Sequence, residues 1–399
     1  MRGLIVLLFI LATVTIKSNS QYLLPITKHE PTKQFYTTFN IGSSAKSPVN
    51  LLLDLGTNLT WLECRKIKFL TSLRLVTCQS STCKSIPGNG CDNNKSCLYK
   101  QPNPLGPNSD ITGRVVQDRA SISTTDGGKL LSQVSLHHFT FSCSGEKNLQ
   151  GLAPPVAGVL GLSPGDSSFT KQVTSAFSVI PKFSLCLPSS SSGSGHFYIA
   201  GVHYLIPPFD GSNNPIPMTM SPLKDIGSGD YLINVQSIYV DGTPLSLKNP
   251  NLLSGGAKLS TVVPYTVLHT DIYNALAQSF TLKAEAMGLI KMSAKAPFKD
   301  CFEVSVSKKN MPVIEIGLPG RAGEVKWRFH GANTVVNVME TVVCLAFVDG
   351  GKKPKEMMVI GTHQLQDYML EFDFSRTMFT FSDSLLLHNT TCSTWPSQK

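Results

Sequence analysis

Apolar and polar residues alternate along much of this chain with a period of two, in short runs separated by glycine, proline, serine and asparagine. Residues 34–42 alternate cleanly and predict a strand. Residues 22–28, short and apolar, predict a strand suited to a sheet shared between two halves of the molecule. Residues 114–123 predict an alternating strand pair, and 136–143 a strand that leads into the apolar segment 157–162. Strand, polar turn and strand are predicted over 182–188, 189–195 and 196–201. An alternating strand over 231–240 turns at Asp241-Gly242, and closing strands are predicted within 358–374 and 378–382. Only 170–180 reads as a short helix from its own residues. Many short strands and repeated glycine turns predict an all-β, two-lobed, barrel-like fold with a few short helices. Residues 202–222, with five prolines, are the predicted crossing. The expected organisation is a signal segment 1–20, an N-terminal lobe 21–202 and a C-terminal lobe 203–399.

Composition narrows the class. The 399 residues suit two lobes, and 41% apolar with 15% charged residues excludes a disordered chain. Arg2 followed by an apolar core over 4–14 and small residues at 18–20 predicts a secretory signal peptide. No later stretch is apolar and long enough to predict a membrane span. The net charge is +9, and two fewer, +7, without Arg2 and Lys17. Lysine and arginine are scattered without interleaved aromatics, which argues against nucleic acid and leaves two readings of the basic charge: acidic polysaccharide or acidic enzymes as partners of an exported protein, or solubility alone.

Ten cysteines, an even set, suit disulfides in an oxidising compartment. Cys78, Cys83, Cys91 and Cys97 crowd one Ser/Asn/Gly-rich stretch, where local bridges staple a loop with little core. Their irregular spacing, with no histidine among them, argues against zinc. His137 and His138 are adjacent; on a regular strand they face opposite sides and do not share a metal, so they are expected to be surface or core residues. No metal or cofactor is implied. Asn58, Asn94 and Asn389 head glycosylation sequons.

The candidate chemistry lies in Leu51-Leu-Leu-Asp54-Leu-Gly-Thr-Asn-Leu-Thr-Trp61. An apolar run feeds one carboxylate, a glycine turn follows, and a second apolar run closes the loop, which presents a buried acid at the end of a hairpin. This loop resembles the first active-site loop of pepsin-like aspartic proteases: Thr57 keeps the hydroxyl and Trp61 the seven-residue offset, while Leu55 replaces a threonine. Such proteolysis uses two carboxylates whose pKa values split because like charges share one site. The matching C-terminal loop is 255–268. There Ser260 stands at the second aspartate position, Thr261 keeps the threonine, and Val262 replaces the glycine. The segment after it, 270–280, resembles the helix that follows this loop in plant members of the family. Serine does not titrate in a useful range, so Asp54 is read as vestigial. The flap stretch 109–118 lacks a preceding tyrosine, Tyr99 being too far back.

With Val159-Leu-Gly161 and Val359-Ile-Gly361, the resemblance spans nearly the whole mature chain. Within the superfamily it is similar to the exported plant branch lacking the second aspartate: xyloglucanase and xylanase inhibitors, extracellular dermal glycoprotein and basic 7S globulins. The resemblance implies a secreted, apoplastic, monomeric and proteolytically inactive protein. It implies binding and inhibition of microbial cell-wall-degrading glycoside hydrolases in plant defence. It also implies the bridge Cys301–Cys344; Cys186 with Cys392 remains as a candidate pair and Cys64 with Cys143 as the fifth, although only the even count follows from the sequence. Its basic target-binding loops fall here on Lys291 and on His388-Asn389, where a basic position has become Asn389. Alternatives are a residual aspartic endopeptidase, a storage globulin, or a chitinase-like or glycan-binding defence protein; no D-x-D-x-E-type strand supports a chitinase.

Overall fold

The computed structural model describes residues 21–42, 48–66, 72–106, 109–201, 217–225, 229–304 and 310–393. The expected signal segment and most of the crossing lie outside the described residues. Strands dominate, as the alternation predicts. Gln34–Ile41 buries every second side chain, with Phe35, Phe39 and Ile41 inward. A six-strand layer joins the two halves: Gln21–His29, Gly195–Ile199, Lys182–Cys186, Met369–Asp373, Met378–Ser382 and Met218–Asp225 pair in that order, all antiparallel. The pairing of Lys182–Cys186 with Met369–Asp373 carries the sheet across. Phe183 stacks on Phe372 there, ring centroids 4.7 Å apart. The short apolar N-terminal strand thus enters the shared sheet, as its sequence predicts.

Each half contributes one crossed loop to the centre. In the N-terminal half, Pro48–Asp54 runs parallel to Gly158–Gly161, with Leu53 opposite Leu160 and Asp54 opposite Gly161. In the C-terminal half, Ala257–Leu259 runs parallel to Met358–Ile360, with Leu259 opposite Ile360. One step further along this register, Ser260 faces Gly361 as Asp54 faces Gly161. Both glycines are needed because backbone passes directly over them. A Cβ on Gly161 would lie 2.7 Å from the Thr57 carbonyl oxygen, and one on Gly361 2.5 Å from the Tyr265 carbonyl carbon.

Three predicted elements differ. Residues 114–123 belong to one long strand, Asp110–Thr125, paired with Leu130–Ser144, and are not a strand pair. The run 231–240 is broken into Leu232–Ile233 and Ser237–Val240, because its second part leaves the central sheet to pair with Ile314–Gly320. The third concerns the histidines. Asp118 pairs with Phe139 but Ala120 pairs with Leu136, so Arg119 alone opposes both His137 and His138. That extra residue is a β-bulge, which breaks the alternation. Both imidazoles are exposed and line the same depression beside Asp166 and Phe177. Among the described residues no group of three or more acidic, histidine or cysteine side chains is placed to hold a metal.

Other local readings hold. Asp241 and Gly242, at φ 45° and 72°, form the turn that pairs Val240 with Thr243. The helices Phe169–Phe177 and Thr270–Ala286 occupy the two predicted segments. All ten cysteines are bridged: Cys301–Cys344 as the resemblance implies, Cys186–Cys392 and Cys64–Cys143 as the two remaining candidate pairs, and Cys78–Cys91 and Cys83–Cys97 closing the local knot. No helix among the described residues is long and apolar enough to cross a membrane.

Candidate functional site

Asp54 ends its strand 5% exposed, on the floor between the halves. Its Oδ1 accepts from the Gly56 amide at 2.9 Å and its Oδ2 from the Thr57 hydroxyl at 2.6 Å. Burial, the largest influence, pushes the carboxyl above the usual carboxylate range. The bonds from Thr57 and Gly56 and the charge of Lys258 oppose that rise, and Asp230 adds to it.

Across the floor, Ser260 is 6% exposed and its hydroxyl oxygen accepts from the amides of Val262 at 3.2 Å and Val263 at 3.1 Å. The serine oxygen therefore organises its own loop. Thr261 reaches across: it donates to the Leu53 carbonyl at 2.8 Å and accepts from the Leu55 amide at 3.2 Å. Leu55 has no hydroxyl to make the reciprocal pair, and its side chain packs in the core, 1% exposed.

Two charged residues that the sequence reading missed complete the floor. Lys258 Nζ lies 2.7 Å from Asp230 Oδ1, with side chains 24% and 19% exposed. A Cβ on Gly56 would be 3.4 Å from Asp230 Oδ1, 3.5 Å from Asp54 Oδ1 and 3.6 Å from Lys258 Nζ. Three charged groups thus surround one glycine. Asp230 is held by the lysine, and among the described residues no second carboxylate hydrogen-bonds Asp54. Lys258 lies two residues before Ser260, so it projects from the same side of the strand. That offset was the available signal; its partner Asp230 comes from the bend before the strand Leu232–Ile233 and left none.

The flap hairpin pairs Cys97–Pro102 with Asp110–Thr125. Tyr99 is fully buried at its base, where its hydroxyl donates to Gln101 Oε1 and accepts from the Leu59 amide. The indole N–H of Trp61 is buried with no hydrogen-bond partner among the described residues. No phenol of the hairpin reaches it.

The residues read as target-binding fall in two separate places. Lys291 lies on the exposed strand Ile290–Met292 and pairs with Asp300 at 3.1 Å, which also accepts from the Tyr273 hydroxyl at 2.7 Å. His388 and Asn389 are exposed at the end of the helical turn Leu385–His388, Asn389 at φ 53°. Leu386 and Leu387 share that tip, and the Cys186–Cys392 bridge anchors it. Of the sequon asparagines, Asn94 and Asn389 are exposed. Asn58 is half-buried, its Oδ1 accepting from the Ser163 hydroxyl at 2.5 Å.

Two β-rich halves, each delivering a crossed loop to a shared floor, define a two-lobed pepsin-like fold. Models of the xylanase inhibitor N-terminal and C-terminal domains match residues 35–200 and 230–383. The chain belongs to this xylanase-inhibitor family of aspartic-protease-like proteins. It is 32% identical to a probable aspartic proteinase, GIP2, of Nicotiana benthamiana, over 97% of this chain and 95% of that one. It is 37% identical to gamma conglutin 1 of Prunus dulcis, over 79% of this chain and 72% of that one. The crystal structure of edgp superposes with a TM-score of 0.86 at 31% identity, covering 95% of this chain and 98% of that chain.

Proposed function

We propose that this protein is exported and acts as a proteinaceous inhibitor of glycoside hydrolases that degrade plant cell walls, without peptidase activity of its own. The observation that carries the reading is the floor: Asp54 is opposed by a serine whose oxygen is engaged by two amides, and the nearby Asp230 is held by Lys258. Such a site lacks the proton-sharing acid pair. The family's domain names support a glycoside hydrolase as partner. Those enzymes present two carboxylates flanking the scissile bond, a natural receptor for donors projected from a surface loop.

The exposed tip Leu386–Asn389 is the proposed contact, with two leucines to desolvate and an imidazole and an amide to donate. Lys291 is already paired with Asp300, which offsets part of its charge and lowers its contribution. The test incubates the mature protein with microbial xyloglucanases, endoglucanases and xylanases. Dose-dependent loss of activity with at least one of them supports the reading, and no inhibition or binding across the panel overturns it. A storage role without a target enzyme is the second reading, favoured by the similarity to gamma conglutin.

A further inference from the structure

A cavity of about 860 Å³ opens between the 29–33 turn and the C-terminal half, and neither Asp54 nor Ser260 lines it. One wall is hydrocarbon: Val335, Val336, Val343 and Met311, with the Tyr265 ring beside them, set edge-on to Phe298 at 4.8 Å. The opposite end is cationic. Lys28, its side chain only 6% exposed, donates to the Ser189 carbonyl at 2.7 Å and lies 2.9 Å from Glu30 Oε2. Lys33 takes the other oxygen of the same carboxylate, Oε1, at 2.7 Å.

Counting donors decides what this end seeks. An ammonium carries three N–H groups. Each Glu30 oxygen accepts from one ammonium, while on these contacts Lys28 keeps one N–H and Lys33 two without an acceptor among the described residues. Two ammoniums against one carboxylate leave this end with a net positive charge and spare donors, so the complementary group is an acceptor, above all a negative one. His363 adds no charge: it is held to the Val335 carbonyl at 3.0 Å, and burial lowers its pKa to about 4. The lining's other carboxylate, Glu340, is exposed on the turn between Val335–Met339 and Val342–Leu345.

We propose that this cavity binds a small amphipathic organic acid, its apolar body against the Val335–Val336–Val343 wall and its carboxylate on Lys28 and Lys33. Size and composition agree, since small-molecule sites of this volume combine apolar walls with a few fixed polar groups. The nearly buried Lys28 stem supplies hydrocarbon of its own below the charged head. The proposal is independent of the inhibitor reading, because it concerns a different face and needs no partner enzyme.

Calorimetric titration of the mature protein with decanoate, and with 1-decanol as a neutral match, tests it. Decanoate is expected to bind roughly ten times more tightly than the alcohol or better, the difference one charge-assisted contact makes. Lys33→Met, at a half-buried position, removes most of that preference. Val336→Trp fills the cavity and weakens both ligands. Lys28→Met is informative only if circular dichroism shows it folded, and Lys33→Met carries the test otherwise. Equal affinity for acid and alcohol, no decanoate binding, or unchanged binding in Val336→Trp overturns the proposal.

Discussion

The hydroxyl of Thr261 bonds both peptide groups that flank Asp54, giving a proton to the Leu53 carbonyl at 2.8 Å and taking one from the Leu55 amide at 3.2 Å. One side chain of the C-terminal half therefore fixes the acid-bearing loop of the other, and Leu55 offers nothing in return. Tyr231 adds a second cross-link, its hydroxyl donating to the Leu162 carbonyl at 2.8 Å.

Thr261→Val keeps the shape and deletes both bonds, stranding a buried carbonyl and amide. The expected loss is about 1–3 kcal/mol of unfolding free energy. Urea denaturation measures it; an unchanged midpoint would show that Thr261 is not a structural tie.

Asp54 titrates above the usual carboxylate range because of burial. The folded protein then holds this proton more tightly than the unfolded chain. Its contribution favours folding at low pH and is lost as pH rises from the ordinary carboxylate value through the raised one. Asp54→Asn cannot titrate, so its stability relative to wild type should improve between about pH 3 and 7. A stability difference that stays flat over that range contradicts the assignment.

His363 behaves in the opposite sense. Burial lowers it to about 4, so the unfolded chain binds the proton more tightly between there and the ordinary histidine value. Stability from keeping this imidazole neutral is complete above about 6.5 and falls as the pH drops toward 4, by up to about 3 kcal/mol. Replacing it with glutamine should flatten that part of the acid limb. An equally steep limb in His363→Gln would place the titration elsewhere.

If the Leu386–Asn389 tip meets a hydrolase's acid pair, Asn389→Arg should tighten inhibition about tenfold or more, since a guanidinium fork bridges carboxylates. The left-handed backbone at φ 53° costs arginine about 1 kcal/mol, which limits the gain. Inhibition constants against the responsive enzyme decide it. A weaker inhibitor would move the contact away from the tip.

Much of this was legible because it is local. The apolar run into Asp54, the Asp241-Gly242 turn and the alternation of 34–42 each carry their cause within a few residues. Ser260 could be set against Asp54 because each precedes a threonine-bearing turn and each has a distant Val-X-Gly strand, Val159–Gly161 and Val359–Gly361. What stayed hidden depends on register or on remote partners. His137 and His138 share a face only because one residue too many lies opposite Arg119. Lys291 looks free until folding brings Asp300 to it. Lys258 and Asp230, 28 positions apart, meet only where Leu232 pairs with Lys258.

On the proposed function, a buried acid facing a serine performs no peptide hydrolysis. The most direct measurement is release of acid-soluble peptides from denatured haemoglobin between about pH 3 and 5, with and without pepstatin, by the wild type and Asp54→Asn in parallel. Identical background release in all four samples is the predicted result. Release by the wild type that pepstatin blocks and Asp54→Asn abolishes would contradict it.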